Sequence, residues 1–125
     1  MSTDTSGQLL VLWTTTERET VDNMVFLYTM NSKLRGWWEE VTLLIWGVTA
    51  RLVAEDESIQ ENIKGFLEKG IRVIARRKCA ENLGVVEKLE AMGIEVFYTG
   101  EFLTEWMKSK RHCIRSEEAK ACSPI

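Results

Sequence analysis

Two short apolar runs narrow the fold more than any other feature of the sequence. Gln8-Leu9-Leu10-Val11-Leu12-Trp13 follows a polar start, and Val41-Thr42-Leu43-Leu44-Ile45-Trp46 repeats the pattern about thirty residues on. Runs of this kind suit strands buried on both faces, which occur in parallel sheets covered by helices. Two further strand-type segments follow, Ile71-Arg72-Val73-Ile74-Ala75 and Ile94-Glu95-Val96-Phe97-Tyr98. His112-Cys113-Ile114 is a candidate fifth strand.

Helical spacing fills the gaps. Thr16 with Glu19 reads as a capping box, and Val21, Met24, Val25, Leu27 and Tyr28 recur at helical intervals up to about Leu34, with Gly36 as the stop. Thr49 is a candidate cap for a short helix through Val53. Asp56 or Ser58 starts the next, with Ile59, Ile63, Phe66 and Leu67 on one face and Gly70 at its end. Val85, Val86, Leu89 and Met92 form another face before Gly93, and Phe102, Leu103, Trp106 and Met107 form a last one. Strands alternating with helices of this length imply right-handed crossovers. The expected fold is a three-layer α/β/α domain with a mostly parallel sheet of about five strands. One domain over residues 8–114 is expected, with flexible ends at 1–7 and 115–125.

Composition excludes several classes. No apolar run approaches the roughly 20 residues that span a bilayer, and Met1 to Gly7 is polar without a basic start, unlike a signal peptide. No membrane partner is expected, and the cytoplasm is the expected location. A formal charge of −3 gives no basis for nucleic-acid binding. The three cysteines form an odd set without a secretion signal, so reduced thiols are expected. A dinucleotide fingerprint and a phosphate-cradling loop are both missing. With one histidine, His112, and no Cys-x-x-Cys spacing, no metal site is expected.

In open sheets of this type, ligands sit outside the carboxyl ends of the strands. The segments there are Thr14 to Glu17, Gly47 to Thr49, Arg76 to Cys79 and Thr99 to Glu101. The third stands out. Arg76, Arg77 and Lys78 precede Cys79, and Ala80-Glu81-Asn82-Leu83 reads as the first turn of a helix. A helix N-terminus and adjacent cations both favour a thiolate over a thiol. Cys79 is the candidate nucleophile, with Arg76, Arg77 and Lys78 as its stabilisers. The competing reading is that Cys79 is a small buried filler, since free cysteine is among the most buried residue types. Cys113 reads as structural, and Cys122, in the polar tail, as exposed. A second candidate is a small-anion site made by Thr14, Thr15, Thr16, Gly47 and Thr49; capping alone also accounts for Thr16. Trp37-Trp38 after Gly36 is hard to bury completely, and exposed aromatic surface near Trp37, Trp38 or Trp106 is the candidate contact with a partner subunit.

The order of these segments resembles the DsrE/DsrF-like family of small sulfur-relay proteins. The matching residues run from Leu12-Trp13-Thr14 and Glu17-Arg18-Glu19 through Gly36-Trp37-Trp38-Glu39-Glu40-Val41-Thr42-Leu43 and Trp46-Gly47, then Leu52 and Glu55-Asp56-Glu57. Cys79-Ala80-Glu81 to Gly84, Gly93-Ile94-Glu95-Val96 and Gly100-Glu101-Phe102-Leu103-Thr104 complete them. The resemblance implies a three-layer fold, homo- or hetero-oligomers, often trimers or hexamers, and one cysteine that carries a persulfide to a partner protein. Relatives often show Cys-Lys-Ala-Cys-Ala after the third strand. Here Arg76-Arg77-Lys78-Cys79-Ala80 keeps the second cysteine, with Arg76 at the position of the first, which leaves single-thiol chemistry.

The leading expectation is thus a sulfurtransferase-like sulfur carrier. Cys79 would take sulfane sulfur from a donor protein and pass it to an acceptor thiol, with no cofactor. The alternative is a non-catalytic oligomeric module that binds a small anion at the carboxyl ends of the strands.

Overall fold

The computed structural model describes residues 7–115 of the chain. Five parallel strands form one sheet in the order β4-β3-β2-β1-β5. They are β1 (Gln8–Trp13), β2 (Glu40–Ile45), β3 (Arg72–Arg76), β4 (Glu95–Phe97) and β5 (His112–Arg115). Helices α1 (Arg18–Thr20) and α2 (Leu27–Leu34) join β1 to β2. Helices α3 (Thr49–Glu55) and α4 (Glu57–Glu68) join β2 to β3, and α5 (Arg77–Leu83) and α6 (Val86–Ala91) join β3 to β4. Helix α7 (Gly100–Lys108) leads to β5. The expected α/β/α layering and parallel sheet are therefore present.

The two sheet faces are covered unequally, and chain order explains why. The path β1 to β4 steps in one direction, so right-handed crossovers place all their helices on one face. Only the return from β4 to β5 runs the other way, and it puts α7 alone on the opposite face. Alternate strand residues serve the two layers. Leu9, Val11, Trp13, Leu43, Ile45, Val73 and Ala75 pack under α1 to α6 with Val25, Phe26, Ile59, Ile63, Phe66 and Leu89. Leu10, Leu12, Leu44 and Ile74 pack under Trp106, with Phe102, Leu103 and Met107 of α7 beside them. Trp13, Phe26 and Phe66 form an edge-to-face chain through the larger layer, at ring separations of 5.0 and 5.2 Å.

Several local expectations are corrected. Thr16 does not cap the first helix. The Glu17 carboxylate does, accepting from the backbone N–H groups of Glu19 and Thr20. Between α1 and α2 the backbone widens into π-helical turns over Val21–Phe26, which the apolar spacing does not distinguish from an α-helix. Asp56 is the cap of α4, accepting from Ile59 N–H at 3.1 Å. Strand β3 is set one residue later than expected and ends on Arg76. Described backbone contacts extend from Gly7 to Arg115. Gly7 C=O accepts from Glu39 and Glu40 N–H, and Arg115 pairs with Leu12. The remaining expectations for residues 1–6 and 116–125, Cys122 included, lie outside the described residues. No helix among the described residues is long and apolar enough to cross a membrane.

Candidate functional site

The carboxyl ends of β2 and β3 bring Trp46, Gly47, Arg76 and Cys79 together. Ile45 and Ala75 are register partners, so the next residues, Trp46 and Arg76, are cross-strand neighbours. Both follow the side-chain alternation toward the α7 face. The Arg76 guanidinium lies over the Trp46 ring, 4.6 Å from its centroid, a cation–π contact that holds it at the strand end.

Cys79 is in the first turn of α5, which starts at Arg77. Its sulfur accepts two hydrogen bonds. Gly47 N–H donates at 3.1 Å, and Arg76 Nη1 donates at 3.4 Å. One donor is a backbone N–H and the other a cation. Gly47 has φ +79°, a left-handed conformation that glycine adopts without penalty. No atom lies within 4 Å of where a side chain would begin there, and Val48 beside it is 54% exposed. The Cys79 residue itself is 8% exposed. It belongs to neither apolar cluster and sits at the rim of the sheet.

The three expected cations divide. Arg76 touches the sulfur. Arg77 does not: its Nε donates to Glu81 at 3.0 Å, and Glu90 lies 3.9 Å from its Nη1. Lys78 is exposed, and its positive charge acts on Glu81. Tyr98 O–H donates to Glu81 at 2.7 Å. That bond, and then Arg77, hold the Glu81 carboxyl below its ordinary range, while the same contact raises the Tyr98 phenol. The Arg77–Glu81–Tyr98 group is thus a self-neutralised patch beside the cysteine.

The expected anion site of threonines is arranged differently. Thr49 Oγ1 is buried and donates to Trp46 C=O at 2.8 Å, with Trp13 C=O at 3.4 Å. It ties the ends of β1 and β2 together. Thr15 Oγ1 accepts from Glu17 N–H at 3.1 Å, and Thr15 C=O accepts the Trp13 indole N–H at 2.7 Å. Thr14 is half-buried and Thr16 exposed. Glu17 already sets a carboxylate at this helix start, and its hydrogen bonds to Thr20 hold its pKa below the ordinary value. Of the five residues named from sequence, Gly47 alone touches the cysteine.

In open parallel sheets a ligand crevice forms where neighbouring connections leave on opposite faces. Here it falls between β3 and β4, where α5 turns to one face and α7 to the other, away from the Thr14, Thr15, Thr16, Gly47 and Thr49 site expected from sequence. Thr99, fully buried there, has a side-chain oxygen without a hydrogen-bond partner among the described residues. Sequence reasoning missed Trp46 as the platform for Arg76; the parity of the two strands carries that signal.

Cys113 is buried on β5 and is disulfide-bonded, so the expected reduced state does not hold for it. Cys79 carries the free thiol among the described residues. No group of three or more His, Cys, Asp or Glu side chains among them is placed to hold a metal ion.

No family model matches the chain, and no curated protein matches it. A solved structure does. It is a conserved protein of unknown function from Bacteroides thetaiotaomicron, 37% identical, superposing with a TM-score of 0.88 over 92% of this chain and 99% of that one. Identity at this level over nearly both full lengths accompanies the same fold, and the chain belongs to the family of that Bacteroides protein.

Proposed function

We propose that this protein is a sulfur carrier of the sulfur-relay type, with Cys79 as the single carrying thiol. The supporting observation is the pair of donors on its sulfur, Gly47 N–H and Arg76 Nη1. The Cys79 thiolate attacks the sulfane sulfur of a donor hydropersulfide. The donor's S–S bond breaks, its thiolate leaves, and a hydropersulfide forms on Cys79. An acceptor thiolate then attacks the outer sulfur and releases Cys79. Each step exchanges one S–S bond for another, so no oxidant, metal or organic cofactor is consumed. Gly47 and Arg76 hold the anion before and after the transfer. The gap above Gly47 supports access for the donor.

The carrier works as a homo-oligomer in this reading. Leu27, Leu34 and Trp37 are 53%, 57% and 55% exposed on and just after α2, and residues 23–32 contain no charged side chain. Exposed apolar surface of this kind, with Arg35 over the Trp37 ring at 5.8 Å, fits a subunit contact. Trp38 is largely covered, donating to the Tyr28 hydroxyl at 3.2 Å. Trp106 is buried under the second face, so it cannot serve as the exposed contact expected from sequence.

The test of the carrier is mass spectrometry of the native protein after incubation with inorganic polysulfide. One added sulfur atom on the Cys79 peptide, absent in Cys79→Ser, is the expected result. A Cys79 that gains sulfur only after unfolding would leave it as core filler and sink the reading.

A further inference from the structure

We propose that Arg76 makes Cys79 selective for small sulfane-sulfur oxoanions, of which thiosulfate is the simplest. The inference rests on the carrier reading and adds a substrate class to it. Arg76 is half-buried, yet it forms no ion pair with a carboxylate among the described residues. The arginines on either side of it differ: Arg72 is bidentate on Glu95 at 2.8 Å, and Arg77 is held by Glu81. A guanidinium carries five N–H donors in a planar fork. Here one face is taken by the Trp46 ring and one donor by the Cys79 sulfur. The rest of the fork is left to a ligand, beside the one nucleophile it already touches. A planar fork matches the paired oxygens of an oxoanion.

The chemistry needs such a group. A thiolate and a dianionic donor repel each other, and a cation contacting both offsets that repulsion. The Cys79 thiolate attacks the outer sulfur of thiosulfate. The S–S bond breaks, its electron pair leaves with sulfite, and the hydropersulfide anion remains on Cys79. Charge and electrons balance without a further reactant. An uncharged electrophile gains nothing from the same fork.

Two readouts test this on the full chain. The first is the ratio of alkylation rates of Cys79 by iodoacetate and by iodoacetamide. The two reagents share a leaving group and differ by one carboxylate, so changes in thiolate population cancel in the ratio. Arg76→Gln should lower the ratio about tenfold, and Arg76→Lys should retain much of it. The second is sulfur loading of Cys79 by thiosulfate, expected in the wild type and lost in Arg76→Gln. Circular dichroism establishes that each variant is folded, and the Lys variant serves if the Gln variant is not. An alkylation ratio unchanged in Arg76→Gln would overturn the selector role. Loading by polysulfide but not by thiosulfate would overturn the substrate class while leaving the carrier intact. Loading by neither would remove the carrier reading itself.

Discussion

Replacing Gly47 with alanine separates backbone strain from sulfur contact. Gly47 has φ +79°, and an added Cβ meets no atom within 4 Å. The cost is therefore conformational and not steric. An L-residue held in the left-handed region costs about 1–2 kcal/mol, which for a domain of this size lowers the melting temperature by roughly 3–10 °C. Gly36→Ala is the matched control: φ is +69°, no atom lies within 4 Å, and the cysteine is not involved. The Gly47 variant has two courses. It holds the strained backbone, pays the full stability loss, and keeps the N–H on Cys79. Otherwise it relaxes, loses less stability, and withdraws the donor. The Gly47 N–H is one of two donors on the sulfur, so its withdrawal should slow Cys79 alkylation. Thermal unfolding and iodoacetamide labelling, run side by side, read both quantities. Gly36→Ala should lose stability with Cys79 labelling unchanged. A Gly47→Ala protein with wild-type stability and wild-type labelling would refute the reasoning, because neither course permits it.

Two more predictions follow from charge and surface. Glu95 is held low by its hydrogen bonds from Arg72, and Asp56 by Ile59 N–H and then Ser58. A carboxyl with a depressed folded pKa contributes stability above its unfolded value, and that stability is lost as pH falls through the folded value. The urea midpoint should hold from pH 7 to about pH 5 and fall below about pH 4, and Arg72→Gln should flatten that acid limb; a limb unchanged in the variant would count against the Glu95 assignment. Separately, light scattering should show an oligomer at micromolar concentration and a smaller species for Leu34→Ser combined with Trp37→Ser, whereas a monomeric wild type would remove the subunit contact.

The strands were the most legible part of the sequence. β1 and β2 are buried on both faces, so their composition announces them without any alternation. Helix starts were less so, because Thr16 and Glu17 both offer oxygen acceptors and only backbone geometry decides between them. At the site, sequence placed Cys79 near a helix start but ranked its three cations equally. Strand parity separates them: Arg76 still belongs to β3 and lies over Trp46, while Arg77 opens α5 and turns to Glu81. Gly47 was named for an anion site, yet its contact with a sulfur 32 residues away depends on β2 and β3 being neighbours, which local spacing does not encode. The covering of Trp106 was hidden for a similar reason, since it follows from the reversed step across the sheet between β4 and β5, all strands staying parallel.

That reversal also governs how the domain emerges during synthesis. Strand β5 pairs with β1, Leu9 against His112, although almost the whole chain separates them. Strands β1 to β4 can assemble in the order they leave the ribosome, each beside the last. The outer side of β1 has no partner until the final strand arrives, and through that interval it presents a bare row of amide and carbonyl groups. Translation speed over the second half of the message thus sets how long a nascent copy offers that row to a neighbour on the same polysome.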